Sequence, residues 1–201
     1  MNLINFKDQD FNDDHAVQVV EWVEDCLKEF AETNAFASLS ERERKSAGFI
    51  LGVFFEYCYS YYLVSPNKIN IIVIDDILLY VFPRNITAEI DTFESVENVL
   101  IVFLKWVNTK KSNYFKNINN LCQHISSVAP TMIKLSQDKK NWGVAKSLLY
   151  RRRSKSNSRS NVGKSFTKII NYVKDFLKIG TNEICSCGSG KKYKECCGTH
   201  T

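Results

Sequence analysis

Cys185, Cys187, Cys196 and Cys197 follow the pattern C-x-C, eight intervening residues, C-C. Zinc takes soft or borderline ligands at tetrahedral corners, and a quartet of thiolates closes its coordination sphere as a structural site. Two sulfurs separated by one residue reach a single ion from an extended or tightly turned backbone. Gly188 and Gly190 permit the chain to reverse around that ion. "KKYKECC" then has the length of about two helical turns and returns Cys196 and Cys197 as the second pair. Zinc with four thiolates is formally a dianion, so Lys191, Lys192 and Lys194 favour thiolate formation. Tyr193 is expected to cover one side of the cluster. A peptide this small has almost no core of its own, so Zn2+ would supply its folding energy, on the order of 10 kcal/mol.

Other reactive residues point to less. Cys26, Cys58 and Cys122 each fall on an apolar helical stripe and read as core thiols. His15 reads as a helix-start residue and His124 as helix-surface or core-edge, neither with a partner at ligand or triad spacing. His200 is an alternative fourth ligand to Cys197. "GSGKK" lacks the Ser or Thr that a phosphate loop needs after Gly-Lys, and the stretch ending in "GKS" has Ser158 where the leading glycine belongs. Asp75 and Asp76 read as a helix cap, and "SERER" as a solvated first turn. No nucleophile, base or open metal position emerges, so the chain is expected not to be an enzyme. An enzyme carrying the cysteine cluster as an accessory is the third functional class.

"CSCGSGKKYKECCG" resembles the SEC-C motif, the zinc-binding tail best known from the C-terminus of the translocase motor SecA. The resemblance rests on the C-x-C-G-S-G-K-K-Y-K core and the cysteine pair that follows. It implies Zn2+ held by Cys185, Cys187, Cys196 and Cys197. Cys197 stands where SecA tails usually carry histidine, and Ser186 where they commonly carry proline. The resemblance also implies partners, an acidic export chaperone or the ribosome. "VFPRNITAE", "VENVLIVFLKWV" and "WGVAKSLL" are similar to helical regions of bacterial proteins that end in the same motif, which implies no activity.

The elements that carry this cluster read as all-α. In "AVQVVEWVEDCLKEF", Val19, Val23, Cys26 and Phe30 form one stripe, with Asp13 or Asp14 as its cap. Ser40 and Glu43 have capping-box spacing. The helix they open runs through Ile50, Leu51, Phe54, Cys58 and Tyr61 to a stop at Ser65–Asn67. "KINIIVIDDILLYVFPRN" fits either a strand at its β-branched beginning or a helix entered at the aspartates and ended by Pro83. Val96, Val99, Leu100, Phe103 and Val107 mark another helix. Tyr114, Ile118, Leu121, Cys122 and Ile125 continue the period until Pro130 kinks or breaks it. "WGVAKSLLY" closes a helical domain over residues 10–150. Residues 151–165 read as a basic, flexible or solvated linker. Residues 166–180 form an amphipathic helix ending at Gly180, which packs back on the domain or docks on a partner or membrane surface. The zinc-binding module occupies residues 183–199.

Charge divides the chain. Residues 1–100 hold 7 Lys and Arg against 18 Asp and Glu, and residues 101–201 hold 20 against 4, giving −11 and +16. The two halves attract each other, or the basic half attracts polyanions. No export signal opens the sequence. The most apolar stretch, "AGFILGVFFEYCYSYYLV", carries Glu56 and four tyrosines and reads as a buried helix, not a transmembrane one. A cytoplasmic location follows, where clustered thiols hold metal more often than disulfides. The leading function is an interaction adaptor. The alternative is nucleic-acid (RNA) binding through Arg151, Arg152, Arg153, Lys155 and Arg159, with Lys164 beside them and Tyr150 and Tyr193 for stacking.

Overall fold

The computed structural model describes residues 10–155, and these are all-α, with no strand among them. Helices α1 (Asp13–Ala31), α2 (Asn34–Ala37), α3 (Glu41–Tyr62), α4 (Ile71–Asp75), α5 (Phe82–Asn85), α6 (Ile90–Lys110), α7 (Ile118–Gln137) and α8 (Val144–Lys155) follow in chain order. A π-helical segment, Asp76–Val81, joins α4 to α5. α6 packs against both α3 and α7, and α1 lies on α3.

Helices α1 and α3 are each specified at their start by a side-chain cap. Asn12, not Asp13 or Asp14, caps α1 by accepting from His15 N, and the two aspartates sit in the first turn near the positive end of the helix. Tyr59 clamps the same cap to α3: its hydroxyl accepts from Asn12 N at 3.0 Å and donates to Asn12 O at 3.1 Å. At α3 the capping box forms as its spacing predicts, with Ser40 Oγ accepting from Glu43 N and Glu43 Oε2 accepting from Ser40 N. Glu43 Oε1 also accepts from Asn98 Nδ2, which ties α3 to α6.

The stripes meet in an aromatic core. Trp22 lies edge-on to Phe55 at 5.0 Å, Phe30 and Phe55 approach Phe103 at 5.4 and 5.8 Å, and Tyr114 stacks on Trp22 at 5.7 Å. Cys26, Cys58 and Cys122 are buried free thiols, as their stripe positions predict. Tyr61 leaves its stripe and is exposed.

Four boundaries differ from expectation. Helix α3 ends at Leu63, which adopts the left-handed conformation (φ 54°), before Ser65–Asn67 is reached. The ambiguous segment is helical from Ile71, capped by Asn70, which accepts from Ile72 N and Val73 N; Asp75 and Asp76 lie inside it. Among its buried residues, Val73, Ile74, Ile77, Leu78, Val81 and Phe82 recur in pairs every four positions. In an α-helix such pairs drift by about 40° per repeat. The wider π turn absorbs that drift and keeps all three pairs on the core. The helix therefore runs past Pro83 to Asn85. Finally, α6 stops at Lys110, and a turn with Asn113 and Asn117 at positive φ re-aims the chain into α7. Pro130 does not break α7. It lies on the exposed face beside Ser126, whose carbonyl loses its helical donor where water can replace it.

Glu56 sits within α3, 4% exposed, with one carboxylate oxygen accepting from Ser60 Oγ at 2.6 Å. Burial pushes its pKa up to about 7 from 4.5. Between those values the folded chain keeps a proton that the unfolded chain releases, so this contribution is present below pH 4.5 and is lost as pH rises through 7. Glu56→Gln should flatten the decline in stability over that window, by at most about 3 kcal/mol. Urea denaturation of both proteins at a series of pH values checks this; parallel curves would refute it.

Candidate functional site

Two regions bear on function. Cys185, Cys187, Cys196 and Cys197 lie outside the described residues, as do the 166–180 segment, Tyr193, His200, Arg159 and Lys164. Of the basic tract, Arg151, Arg152, Arg153 and Lys155 fall on α8, so the helix continues into the stretch whose composition reads as a linker. Tyr150 precedes them on the same helix. Its ring is 46% exposed but leans on Trp142 at 4.9 Å, with Lys139 Nζ 5.1 Å from its centroid. It is a partly covered ring, not the open stacking platform the sequence suggests.

The base of α8 is where described chemistry concentrates. Lys146 is only 3% exposed. Its ammonium donates to Pro83 O at 2.7 Å and Ser136 O at 3.3 Å, near the C-terminal ends of α5 and α7. Carbonyls at helix ends lack intrahelical donors and carry partial negative charge, so a cation there satisfies both needs. The ammonium also lies 4.8 Å from the centroid of Trp142 and 5.2 Å from that of Phe93. Burial lowers its pKa to about 8. Trp142 Nε1 donates to Ser136 O at 2.7 Å, and Gly143 N to Arg84 O at 2.9 Å. A Cβ on Gly143 would stand 3.2 Å from that Arg84 oxygen, so the close approach favours glycine. These bonds seat α8 on α5 and α7 beside a cavity of about 500 Å³.

Sequence reasoning reads "WGVAKSLLY" as a closing element and does not single out Lys146. The available signal is one lysine between apolar residues, just after a Trp-Gly pair. His124 also differs from its reading: Nε2 lies 2.8 Å from Asp75 Oδ1, a carboxylate 49 positions away that no local spacing could reveal. The thiols are chemically quiet. Burial is the main cause that raises all three, Cys26 to about 12, so none is a thiolate at neutral pH. Among the described residues, no cluster of His, Cys, Asp and Glu could hold a metal ion, and no helix is long and apolar enough to cross a membrane.

Comparison with known proteins returns to the C-terminal cysteines. The SEC-C motif family matches residues 182–199. The protein translocase subunit SecA of Lawsonia intracellularis is 61% identical over 28 residues, which are 14% of this chain and 3% of that protein. SecA of Acetivibrio thermocellus is 76% identical over 21 residues, 10% of this chain and 2% of its own length. SecA of Clostridium botulinum (strain Eklund 17B) is 28% identical over 120 residues, 49% of this chain and 14% of that protein. The chain thus spans a small part of the relatives it matches. No solved structure matches it. Residues 182–199 are a SEC-C motif, shared with SecA translocase subunits and joined here to a helical chain.

Proposed function

We propose that this protein is a non-catalytic, cytoplasmic interaction adaptor whose SEC-C motif is a zinc-folded contact module. The observation that carries this reading is the family match at residues 182–199, within which Cys185, Cys187, Cys196 and Cys197 keep the C-x-C and C-C pairs. The donor set fits the ion. Four thiols suit tetrahedral zinc, and the lysines between them offset the charge of the thiolate cluster. When bound, zinc supplies the fold of the module and no reaction step. Partners follow from charge and from the resemblance to SecA: the basic half suits an acidic export chaperone or the ribosome. Electrostatic attraction speeds encounter with either, and attachment to the helical domain raises local concentration.

RNA binding is the second reading. It is favoured by α8 carrying Arg151, Arg152, Arg153 and Lys155 on its final turns, next to the +16 charge of residues 101–201.

Purified full-length protein should contain one equivalent of zinc, about one mole per mole of chain, and Cys185→Ser with Cys196→Ser should lose it. Elemental analysis without stoichiometric zinc would sink the metal assignment. Pull-downs at low salt should retain an acidic export chaperone or ribosomes and lose them when residues after 150 are removed. Titration against RNA separates the second reading. Adaptor function through protein predicts little RNA affinity, whereas binding at about micromolar that collapses between roughly 50 and 200 mM salt would favour RNA.

A further inference from the structure

The cavity at the base of α8 has the size of a small-molecule site, about 500 Å³, where such sites run roughly 300–1,000 Å³. Its walls include the rings of Phe93, Trp142 and Tyr150. Two polar groups in its lining lack full partnership among the described residues. An ammonium has three N–H donors, and Lys146 gives one each to Pro83 O and Ser136 O, leaving the third without an acceptor. Thr87 Oγ1 is buried with no hydrogen-bond partner. Buried donors left unmatched are costly, and one oxygen-bearing ligand would relieve both.

Charge selects the ligand further. Among the described residues, Lys139 and Lys146 line the cavity against one carboxylate, Glu89, so these three carry an excess of one positive charge. A cationic ligand would meet two ammoniums. A dianion such as a phosphate ester would find no arginine fork among the described lining residues and would lie near Glu89. A neutral apolar molecule would leave both donors unmatched. The flat rings and the surplus of one charge fit a monoanion with a compact apolar body.

We propose that this cavity binds a small amphipathic carboxylate, its head group accepting from Lys146 Nζ and Thr87 Oγ1 and its apolar body lying among Phe93, Trp142 and Tyr150. This function is independent of the zinc module and places a ligand site at the root of α8.

The test uses the full-length protein, with 3-phenylpropanoate as probe and 3-phenylpropanamide as its neutral counterpart, read by tryptophan fluorescence. The expected result is saturable binding of the acid at about 1 mM or tighter, and about tenfold weaker binding of the amide. Trp142→Phe should remove the fluorescence response, because Trp22 and Trp106 lie in the core away from the cavity lining. Lys146→Met should equalise acid and amide. Thr87→Val, which keeps the side-chain shape, should weaken the acid about threefold; it decides the matter if Lys146→Met does not fold. Equal affinity for acid and amide, no saturable change up to about 10 mM acid, or a response that survives Trp142→Phe would overturn the proposal.

Discussion

Burial of Phe103 at the junction of α1, α3 and α6 is the contact on which the architecture rests. Its ring meets Trp22, Phe30, Phe55 and Trp106, which come from three helices and set the spacing between them. Aromatic rings contribute large buried areas, and edge-on approaches add a geometric preference that aliphatic side chains lack. Once α6 is seated by that cluster, its far side receives α7, and the segments after α7 acquire a surface on which to fold back. The pairing of α6 with both α3 and α7 is therefore a cause of the cavity, although no residue of the cluster touches it.

Helix α8 is held by polar ties more than by apolar mass. It has several exposed apolar side chains, Val144, Leu148 and Leu149 among them, and its anchorage comes from Lys146, Trp142 and Gly143 gripping carbonyls of α5 and α7. Such anchorage is directional. It fixes where α8 points.

Legibility followed the range of the interactions. The stripes of α1, α3 and α6 were plain in the sequence because helical period and burial coincide at Val19, Phe54 and Phe103, and Ser40–Glu43 announced its own capping box. The SEC-C motif was equally plain, because its spacing is local. Asp75 with His124, and Lys146 with Pro83 and Ser136, were not, since each joins residues whose proximity exists only after the helices pack. The starts of α1 and α4 were misplaced for a smaller reason: asparagine and aspartate cap equally well, so Asn12 and Asn70 competed with nearby aspartates on even terms. Pro83 reads as an end and Pro130 as a kink or break because ring sterics are local, whereas what accommodates each one, a widened turn or an exposed carbonyl, is not.

The widened turn at Asp76–Val81 has a further effect on the chain that follows it. It acts as a phase adjuster: the surplus rotation it takes up decides which way the carbonyl of Pro83 faces. Deleting a single residue there would restore ordinary winding, swing that oxygen away from Lys146, and uncouple the seat of α8 without touching any residue that forms it. The orientation of α8 is thus written, in part, upstream of the lysine that enforces it (the separation of Pro83 and Lys146 is 63).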